Sequence, residues 1–269
     1  MITQTITTHQ DKQLFYRKAG EGPVVVLLHG FPEDGSLWEQ VIPGLASSFT
    51  LLVPDLPGTG NSHRLNAGFG MDDLARSVAD LLDHEQVQAA VIVGHSMGGY
   101  TALAFADLFP ERVKGISLVH STATADTDEK KETRRKSIEL IQKGGKEPFV
   151  KGMIPNLFSK AFQEQNPELL RKQVERGLRL ENESMTGFYT AMINRPDRTA
   201  ILSSGKAPVQ WIIGKEDNVV PLESALQQSK LSDVNFVSVY ENCGHMSMLE
   251  QPERLTTDLK DFISYCYNR

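Results

Sequence analysis

Short, continuously apolar runs alternate with longer amphipathic stretches along most of this chain. Residues 24–28 and 90–93 contain no polar side chain, which is typical of strands buried on both faces of a parallel sheet. Runs of this kind predict eight strands, at residues 2–7, 13–17, 24–28, 51–54, 90–93, 115–119, 209–213 and 234–240. The first two are less apolar and closely spaced, so we expect an antiparallel hairpin at one edge of the sheet.

Helical periodicity fills most of the intervals between these strands. Helices are predicted at residues 36–46, 72–84, 97–109, 222–230 and 252–265. Strands that alternate with helices in this way are typical of an α/β fold, here a doubly wound, mostly parallel sheet. The predicted core domain comprises residues 1–121 and 203–269.

A long interval without a strand separates the sixth predicted strand from the seventh. Residues 122–202 begin with a charged helix at 128–143 and then carry many large apolar side chains, among them Met153, Ile154, Leu157, Phe158, Phe162, Met185, Phe188, Tyr189 and Met192. Ligands in such folds bind at the carboxyl edge of the sheet, so we interpret 122–202 as a helical cap, or lid, over a pocket. A small helical subdomain with its own core is the alternative, and the two interpretations are compatible.

Composition and charge exclude several classes of protein. The 269 residues carry 28 basic and 34 acidic side chains, a formal net charge of -6, whereas nucleic-acid binders usually present a basic face. No apolar run approaches the roughly 18 residues of a membrane helix, and the N-terminal residues lack a secretory signal pattern. Cys243 and Cys266 have neither a disulfide pattern nor metal-ligand spacing. We expect a cytoplasmic protein, a monomer or weak homodimer, without cofactor, metal, nucleic-acid partner or membrane partner.

The strongest chemical signal lies at the end of the fifth predicted strand. There the apolar run leads directly into Gly94-His95-Ser96-Met97-Gly98, and a helical stretch follows. A strand, a Gly-x-Ser-x-Gly turn and a helix are the context of a nucleophile elbow, whose strained turn exposes the serine hydroxyl. Ser96 is therefore the candidate nucleophile, and a chance serine in a glycine-rich turn is the alternative.

A serine nucleophile needs a base, and chain position selects one of the seven histidines. His245 lies between the last strand and the last helix, on a loop that opens on the same sheet edge as Ser96. His84 ends an amphipathic helix, where a surface position is expected. His95 should point away from the Ser96 hydroxyl. His245 is therefore the predicted general base.

The base in turn needs a carboxylate that orients it. The turn after the seventh strand contains Glu216 and Asp217, and Asp217 is the predicted acid, with Glu216 as the alternative. The sixth strand is followed by His120 and Ser121, so that alternative acid position offers no carboxylate. The resulting chain order is nucleophile, acid, base.

Two backbone N–H groups are candidates for holding an oxyanion. One belongs to Met97, directly after the nucleophile. The other should come from the loop His29-Gly30-Phe31-Pro32. Because proline has no N–H, Phe31 is the predicted donor, and its ring would border the pocket.

Together these motifs resemble those of the α/β-hydrolase fold family over nearly the whole chain. The matching segments are Leu28-His29-Gly30-Phe31-Pro32, residues 55–62, Gly94-His95-Ser96-Met97-Gly98-Gly99, the Asp217 turn and Gly244-His245. The resemblance implies an eight-stranded, mostly parallel sheet with a helical cap after strand six. The chain is similar to enol-lactonases, cofactor-free haloperoxidase-like esterases and carboxylesterases. Epoxide hydrolases and haloalkane dehalogenases carry Asp at the nucleophile position, where this chain has Ser96.

The expected function is cleavage of a carboxylic ester or lactone, or of a thioester, through an acyl-enzyme. Two alternatives stay open, namely acyl transfer to an alcohol, amine or peroxide, and ligand sensing with slow turnover. Phe158, Phe188 and Met192 are the candidate substrate-binding residues, and their apolar character favours an apolar acyl or alcohol portion in the small-molecule substrate.

Overall fold

The computed structural model describes all residues from Met1 to Arg269 and contains one sheet of eight strands. The strands are β1 (Ile2–Thr7), β2 (Gln13–Ala19), β3 (Val24–Leu28), β4 (Thr50–Pro54), β5 (Ala90–His95), β6 (Val113–Val119), β7 (Val209–Gly214) and β8 (Asn235–Tyr240). Their spatial order is β1-β2-β4-β3-β5-β6-β7-β8. The β1–β2 and β2–β4 pairs are antiparallel and the other pairs are parallel, which confirms the edge hairpin and the mostly parallel sheet.

The central strands are buried on both faces, as their apolar sequences predict. Every residue of β5 and β7 is buried, whereas the edge strand β8 alternates between exposed and half-buried positions over most of its length. Each large apolar side chain removed from water stabilises the fold by about 1.5–3 kcal/mol before the entropy cost. The carboxyl ends of β5, β6 and β7 lie side by side, so the loops that follow these strands meet at one edge of the sheet.

Helices flank this sheet and fill the long interval between β6 and β7. The α-helices are α1 (Ile42–Ala46), α2 (Met71–His84), α3 (Met97–Leu108), α4 (Asp128–Gln142), α5 (Lys146–Met153), α6 (Lys160–Gln165), α7 (Pro167–Arg179), α8 (Asn182–Asn194), α9 (Thr199–Leu202), α10 (Leu222–Ser229), α11 (Ser247–Glu250) and α12 (Pro252–Asn268). Short 3₁₀ helices cover Gly35–Trp38, Pro110–Arg112 and Pro155–Leu157. None of the helices combines the length and the hydropathy needed to cross a bilayer.

The single helix predicted at residues 36–46 is wrong. The structure has a 3₁₀ helix at Gly35–Trp38 and then α1, which begins at Ile42. Asp34 caps the first piece, because its side chain accepts the N–H of Ser36 at 2.8 Å. Pro43 lies in the first turn of α1, where a missing N–H costs nothing. Proline thus favours a new helix start over continuation of the first helix.

The helical insertion, residues 122–202, contains α4 to α9 and no strand. Ion pairs fix its ends, and the Asp126 carboxylate in two of them is buried. Asp126 accepts a hydrogen bond from Arg134 Nε at 2.7 Å, and Arg195 Nη1 lies 2.9 Å from the other oxygen of Asp126, although not aligned for a hydrogen bond. Arg198 Nε donates to Asp107 of α3 at 3.2 Å. The helical content agrees with the prediction, and the division into a separate cap domain stays a prediction.

Candidate active site

Ser96 stands between β5 and α3 in a backbone conformation that few L-residues adopt. Its φ is 50° and its ψ is -113°, a strained geometry for a side chain with a Cβ. The turn is tightly packed, since a Cβ on Gly94 would collide with the carbonyl oxygen of Gly98. Ser121 Oγ donates to the Ser96 carbonyl at 2.8 Å, which helps to hold the turn. The Ser96 side chain is half-buried.

Asp217 and His245 meet as the sequence predicts. Nδ1 of His245 lies 2.8 Å from Oδ2 of Asp217, and both side chains are buried. The other Asp217 oxygen accepts the backbone N–H groups of Val219 and Val220 at 2.7 and 2.9 Å. The carboxylate is therefore fixed by its own turn and engages the imidazole with Oδ2. Glu216, the alternative acid, is exposed.

His95 links the loop that carries His245 to the turn that carries Ser96. Its Nε2 lies 2.9 Å from the carbonyl oxygen of His245, and the centres of the two rings are 4.9 Å apart. Since His95 directly precedes Ser96, this bond brings the His245 loop against the serine turn. The side chains of Ser96 and His245 are not hydrogen-bonded to each other in this resting arrangement. Such bonds are often long in free enzymes and shorten in the substrate complex.

His120 is part of the same cluster, although the sequence pointed to no role for it. It follows β6 with a φ of 49°, and its Nδ1 lies 3.2 Å from Asp217 Oδ2. The backbone N–H of Ser247 points at its Nε2 from 3.4 Å. Its position directly after β6, beside β7, is the one sequence signal that could have identified it.

Burial and mutual contact set the protonation of these groups. Burial alone would raise the pKa of Asp217, but attraction to His245 and hydrogen bonds from both imidazoles hold this pKa well below its usual range. Burial lowers the pKa of His120, and the hydrogen bond to Asp217 opposes that shift. Burial, together with the nearby His245 and His120 rings, holds the pKa of His95 well below its usual range. Asp217 is thus ionised at neutral pH, while His95 and His120 are neutral.

Two backbone N–H groups close to Ser96 have no acceptor within the protein. Met97 is the first residue of α3 and Phe31 lies in the loop after β3, and neither N–H donates to an acceptor within the protein. That loop is close to Ser96, since a Cβ on Gly30 would lie 3.1 Å from Ser96 Cβ. His29 fixes the loop, because its Nε2 accepts the N–H of Leu56 at 2.9 Å.

The three candidate substrate-binding residues are all buried, in different surroundings. The Phe188 ring packs edge to face against two other rings. Its centre lies 6.4 Å from the ring centre of Phe31 and 5.4 Å from that of Phe69. Phe158 stacks on Phe162 with ring centres 5.4 Å apart. Met192 lies in α8, as Phe188 does. Phe188 is thus the one whose ring touches the Phe31 loop.

Glu250, in α11, is a second residue that the sequence did not point to. Its Oε1 accepts the backbone N–H groups of Gly244 and Met246 at 3.0 and 3.2 Å. Its Oε2 accepts the N–H of Ser159, in the helical insertion, at 2.9 Å. One carboxylate therefore binds the backbone N–H groups on either side of His245 and links them to the helical insertion.

His120, Asp217 and His245 are also a possible metal-ligand set. Their donor atoms lie within 4.8 Å of one another, and two imidazoles with a carboxylate suit zinc. Each Nδ1 is already within hydrogen-bond distance of Asp217 Oδ2, so a metal would have to displace both contacts.

Cavity size does not identify this site. A cavity of about 640 Å³ lies between α7 and the loop after β4, and Glu33, Arg176 and Arg179 line it without Ser96 or His245. Chemistry and geometry, rather than volume, locate the candidate site at the sheet edge.

Comparison with known proteins extends these findings. The sequence profile of the family described as alpha/beta hydrolase fold matches residues 23–252. The solved structure of a thermophilic esterase from Thermogutta terrifontis is 30% identical, with a TM-score of 0.92 and 99% of both chains covered.

Two further relatives are more distant. The enol-lactonase from Burkholderia xenovorans LB400 has a TM-score of 0.88 at 21% identity, covering 97% of this chain and 100% of its own, a likeness of fold alone. The 2-hydroxy-6-oxononadienedioate/2-hydroxy-6-oxononatrienedioate hydrolase 2 from Pseudomonas putida is 27% identical over 267 residues, with 95% of this chain and 93% of its own covered.

Proposed function

Because the chain belongs to the α/β hydrolase fold family, we propose that it is a serine hydrolase that cleaves carboxylic esters or lactones. The observation that carries the proposal is the 2.8 Å contact between His245 and Asp217, at the sheet edge where Ser96 stands in its strained turn. The esterase activity named for the Thermogutta terrifontis protein supports the same reaction class.

The proposed reaction begins at Ser96. Nδ1–H of His245 donates to Asp217, so its Nε2 carries the lone pair that takes the Ser96 proton. Ser96 Oγ then bonds to the substrate carbonyl carbon, and the N–H groups of Phe31 and Met97 hold the oxyanion. Collapse of this intermediate breaks the ester C–O bond, and His245 returns the proton to the leaving alcohol. Water, deprotonated by His245, releases the acid from Ser96.

Asp217 is suited to the orienting role because it is ionised and fully engaged. It balances the charge of the His245 imidazolium without taking the proton itself. Its two turn N–H contacts prevent rotation of the carboxylate.

The proposed substrate is a small ester or lactone with an apolar portion. The ring of Phe31 contacts the rings of Phe188 and Tyr189 where the insertion meets the loop after β3. Tyr189 stays protonated, since burial raises its pKa to about 12. The cytoplasmic location and the monomeric or weakly dimeric state stay predictions.

The test is turnover of p-nitrophenyl acetate, butyrate and hexanoate and of simple lactones by the wild type and by Ser96→Ala. We expect turnover to fall by at least about four orders of magnitude in Ser96→Ala, while an exposed serine control, Ser203→Ala, stays at the wild-type rate. A fluorophosphonate should label the wild type at Ser96. Substantial activity in folded Ser96→Ala would contradict the assignment of the nucleophile.

The same experiment separates the two alternatives. With an added alcohol, an acyltransferase would form the new ester in preference to the free acid. A slow sensor would be labelled at Ser96 and bind substrates but release products at a negligible rate.

A further inference from the structure

We propose that the cavity of about 640 Å³ between α7 and the loop after β4 is a second binding site, whose ligand is a small zwitterion such as a free α-amino acid. Neither Ser96 nor His245 lines this cavity, so the proposal goes beyond the ester reaction and does not depend on it. The ligand carries an ammonium group and a carboxylate group close together, and each group has its own partner in the cavity.

The walls of this cavity are polar. Apart from Pro32, Leu180 and two glycines, every residue that lines it has a polar or charged side chain. Ligand pockets of comparable volume, about 300–1,000 Å³, are usually lined mainly by hydrophobic and aromatic side chains. Besides His63, four acidic and four basic side chains line the cavity, so their formal charges cancel. Such walls favour a polar ligand without net charge.

Glu33 is the buried carboxyl group of this cavity. It is 2% exposed, and neither Oε1 nor Oε2 has a hydrogen-bond partner within the protein. Buried polar groups are nearly always paired, and an unpaired buried carboxylate is costly. The neighbouring Asp34 differs, because its Oδ1 accepts the N–H of Ser36 at 2.8 Å. Glu33 thus lacks a donor that a ligand can supply, and an ammonium group brings three N–H donors together with a positive charge.

Ser184, in α8, is a second buried polar group on the same cavity. It is 1% exposed, and its Oγ has no hydrogen-bond partner within the protein. A Cβ on Gly58 would lie 3.1 Å from this Oγ, so the hydroxyl lies against the loop after β4. Ser184 belongs to the insertion and Glu33 to the loop after β3, yet both line one cavity. Their convergence indicates a site for a hydrogen-bonding ligand.

Arg176, in α7, provides the opposite charge. It is half-buried, and no carboxylate oxygen lies within 4.0 Å of its guanidinium. Its attraction opposes the rise that burial causes in the pKa of Glu33, although the two side chains form no ion pair. A guanidinium can bind a carboxylate through two parallel N–H···O bonds. Arg176 is therefore the expected partner of a ligand carboxylate.

The other arginines of the cavity are less available. Arg17 Nη1 lies 2.6 Å from Oδ1 of Asp55, and Arg64 Nη1 lies 3.8 Å from a carboxylate oxygen of Glu183. Arg179 lines the cavity one turn after Arg176, but it is exposed. Arg176 thus combines partial burial with the absence of a partner.

An unpaired carboxylate and an unpaired guanidinium on one cavity select among ligands. A simple anion would pair with Arg176 but would leave Glu33 without a donor and meet its negative charge. A simple amine would pair with Glu33 and leave Arg176 without an acceptor. A zwitterion satisfies both, with its ammonium group on Glu33 and its carboxylate on Arg176. The ammonium charge also favours the ionised form of Glu33.

The test measures binding to the full chain. Each standard L-amino acid is added singly to the wild type, and the one that raises the melting temperature most is titrated by calorimetry. We expect a Kd of about 1 mM or tighter. The deaminated and decarboxylated analogues of that amino acid, which keep one charge each, should bind at least about tenfold more weakly, because each loses a charged hydrogen-bond partner.

Variants locate the bound ligand. Glu33→Gln and Arg176→Gln should each weaken binding at least about tenfold. The matched controls are Glu39→Gln, an exposed carboxylate on the same cavity, and Arg171→Gln, exposed on α7 outside it. Both controls should bind as the wild type does. Ser184→Ala should also weaken binding, and it replaces Glu33→Gln as the test if that variant does not fold.

Three results would overturn the inference. One is the absence of a melting-temperature shift with every amino acid. Another is wild-type affinity in folded Glu33→Gln and Arg176→Gln, and the third is equal affinity for the deaminated analogue, which would assign the cavity to simple anions. Ser96→Ala should keep the wild-type affinity, and loss of binding in this variant would instead place the ligand at the ester site. None of these measurements requires ester turnover, so failure of the proposed function leaves this test intact.

Discussion

His245 donates its backbone N–H to the carbonyl oxygen of Leu157 at 2.7 Å, so the proposed base is hydrogen-bonded directly to the helical insertion. Glu250 adds a second link, through Ser159 and Gly244. Any displacement of residues 157–159 therefore moves the loop that carries His245. A rigid contact of this kind matters because misplacement of a reacting group by about 1 Å can cost about 100-fold in rate.

Gly244→Ala tests this contact. A Cβ on Gly244 would lie 2.7 Å from Ser159 N and 2.8 Å from Leu157 O, so these backbone atoms must move. We expect kcat on a short ester to fall by at least about 10-fold and the melting temperature to fall as well. The control is Gly152→Ala in α5, where a Cβ meets no atom within 4 Å, and it should gain up to about 1 kcal/mol in stability with unchanged kcat. Equal kcat in both variants would show that the insertion does not position His245.

Asp217→Asn should abolish most activity, and the contacts explain why. The Asn oxygen can retain the N–H groups of Val219 and Val220, which leaves the NH2 group facing two imidazole Nδ1 atoms. His245 must then accept at Nδ1 and carry its proton on Nε2, where it cannot take the Ser96 proton. We expect a loss in kcat of up to about four orders of magnitude.

Glu216→Gln is the matched control for that substitution, because Glu216 is adjacent and exposed. Its kcat should stay within about twofold of wild type, since exposed substitutions away from the site change little. A larger loss of kcat in Glu216→Gln than in Asp217→Asn would identify Glu216, rather than Asp217, as the acid that orients His245.

Phe188→Ala should change the preference for acyl chain length. Its ring contacts Phe31, which borders the proposed oxyanion site, and each methylene of fit in an apolar pocket is worth about 1–3 kcal/mol. The butyrate-to-acetate ratio of kcat/KM should therefore change by at least about fivefold. Phe158→Ala and Met192→Ala are the comparison variants, and Phe158 is stacked on Phe162. If all three variants lose about 2–5 kcal/mol of stability with unchanged ratios, these side chains form only a core of the insertion.

The buried carboxyl group of Glu33 lies outside the candidate active site, and we expect it to make the stability of the fold depend on pH. It is 2% exposed, and neither carboxylate oxygen has a hydrogen-bond partner. Burial raises its pKa to about 7, against the attraction of Arg176. The folded state thus holds this proton more tightly than the unfolded state, so unfolding releases it between about pH 4.5 and 7. The free energy of unfolding should fall by about 3 kcal/mol as the pH rises through that window.

The measurement for Glu33 is thermal unfolding at pH 5 and pH 8. Wild type should lose more stability between the two pH values than Glu33→Gln, which cannot ionise. Glu39→Gln, an exposed carboxylate on the same cavity, should behave as wild type. Parallel pH profiles for wild type and Glu33→Gln would show that Glu33 stays protonated, or is charged without cost, at both pH values.

Local patterns were sufficient to predict most of the fold. A continuously apolar run such as 90–93 must be buried on both faces, and Gly-x-Ser-x-Gly between a strand and a helix constrains one turn, so Ser96 was predictable from a few neighbouring residues. Strand alternation implies that the loops after β5, β7 and β8 open on one edge, so it predicts that Asp217 and His245 lie close together. The pattern of residues 36–46 does not reveal the break found there, because Asp34 and Pro43 act as local breaks inside an otherwise helical pattern.

Contacts between distant segments were decided by the tertiary structure alone. His120 reaches Asp217 across 97 positions, because β6 and β7 are neighbours in the sheet and a left-handed turn directs the ring toward that carboxylate. Glu250 likewise joins Ser159 across 91 positions. Sequence determined which residues could carry the chemistry, since strand burial and turn geometry depend on local side-chain pattern. The partners of those residues depend on strand order, side-chain rotamers and the placement of the insertion, and no local pattern encodes these.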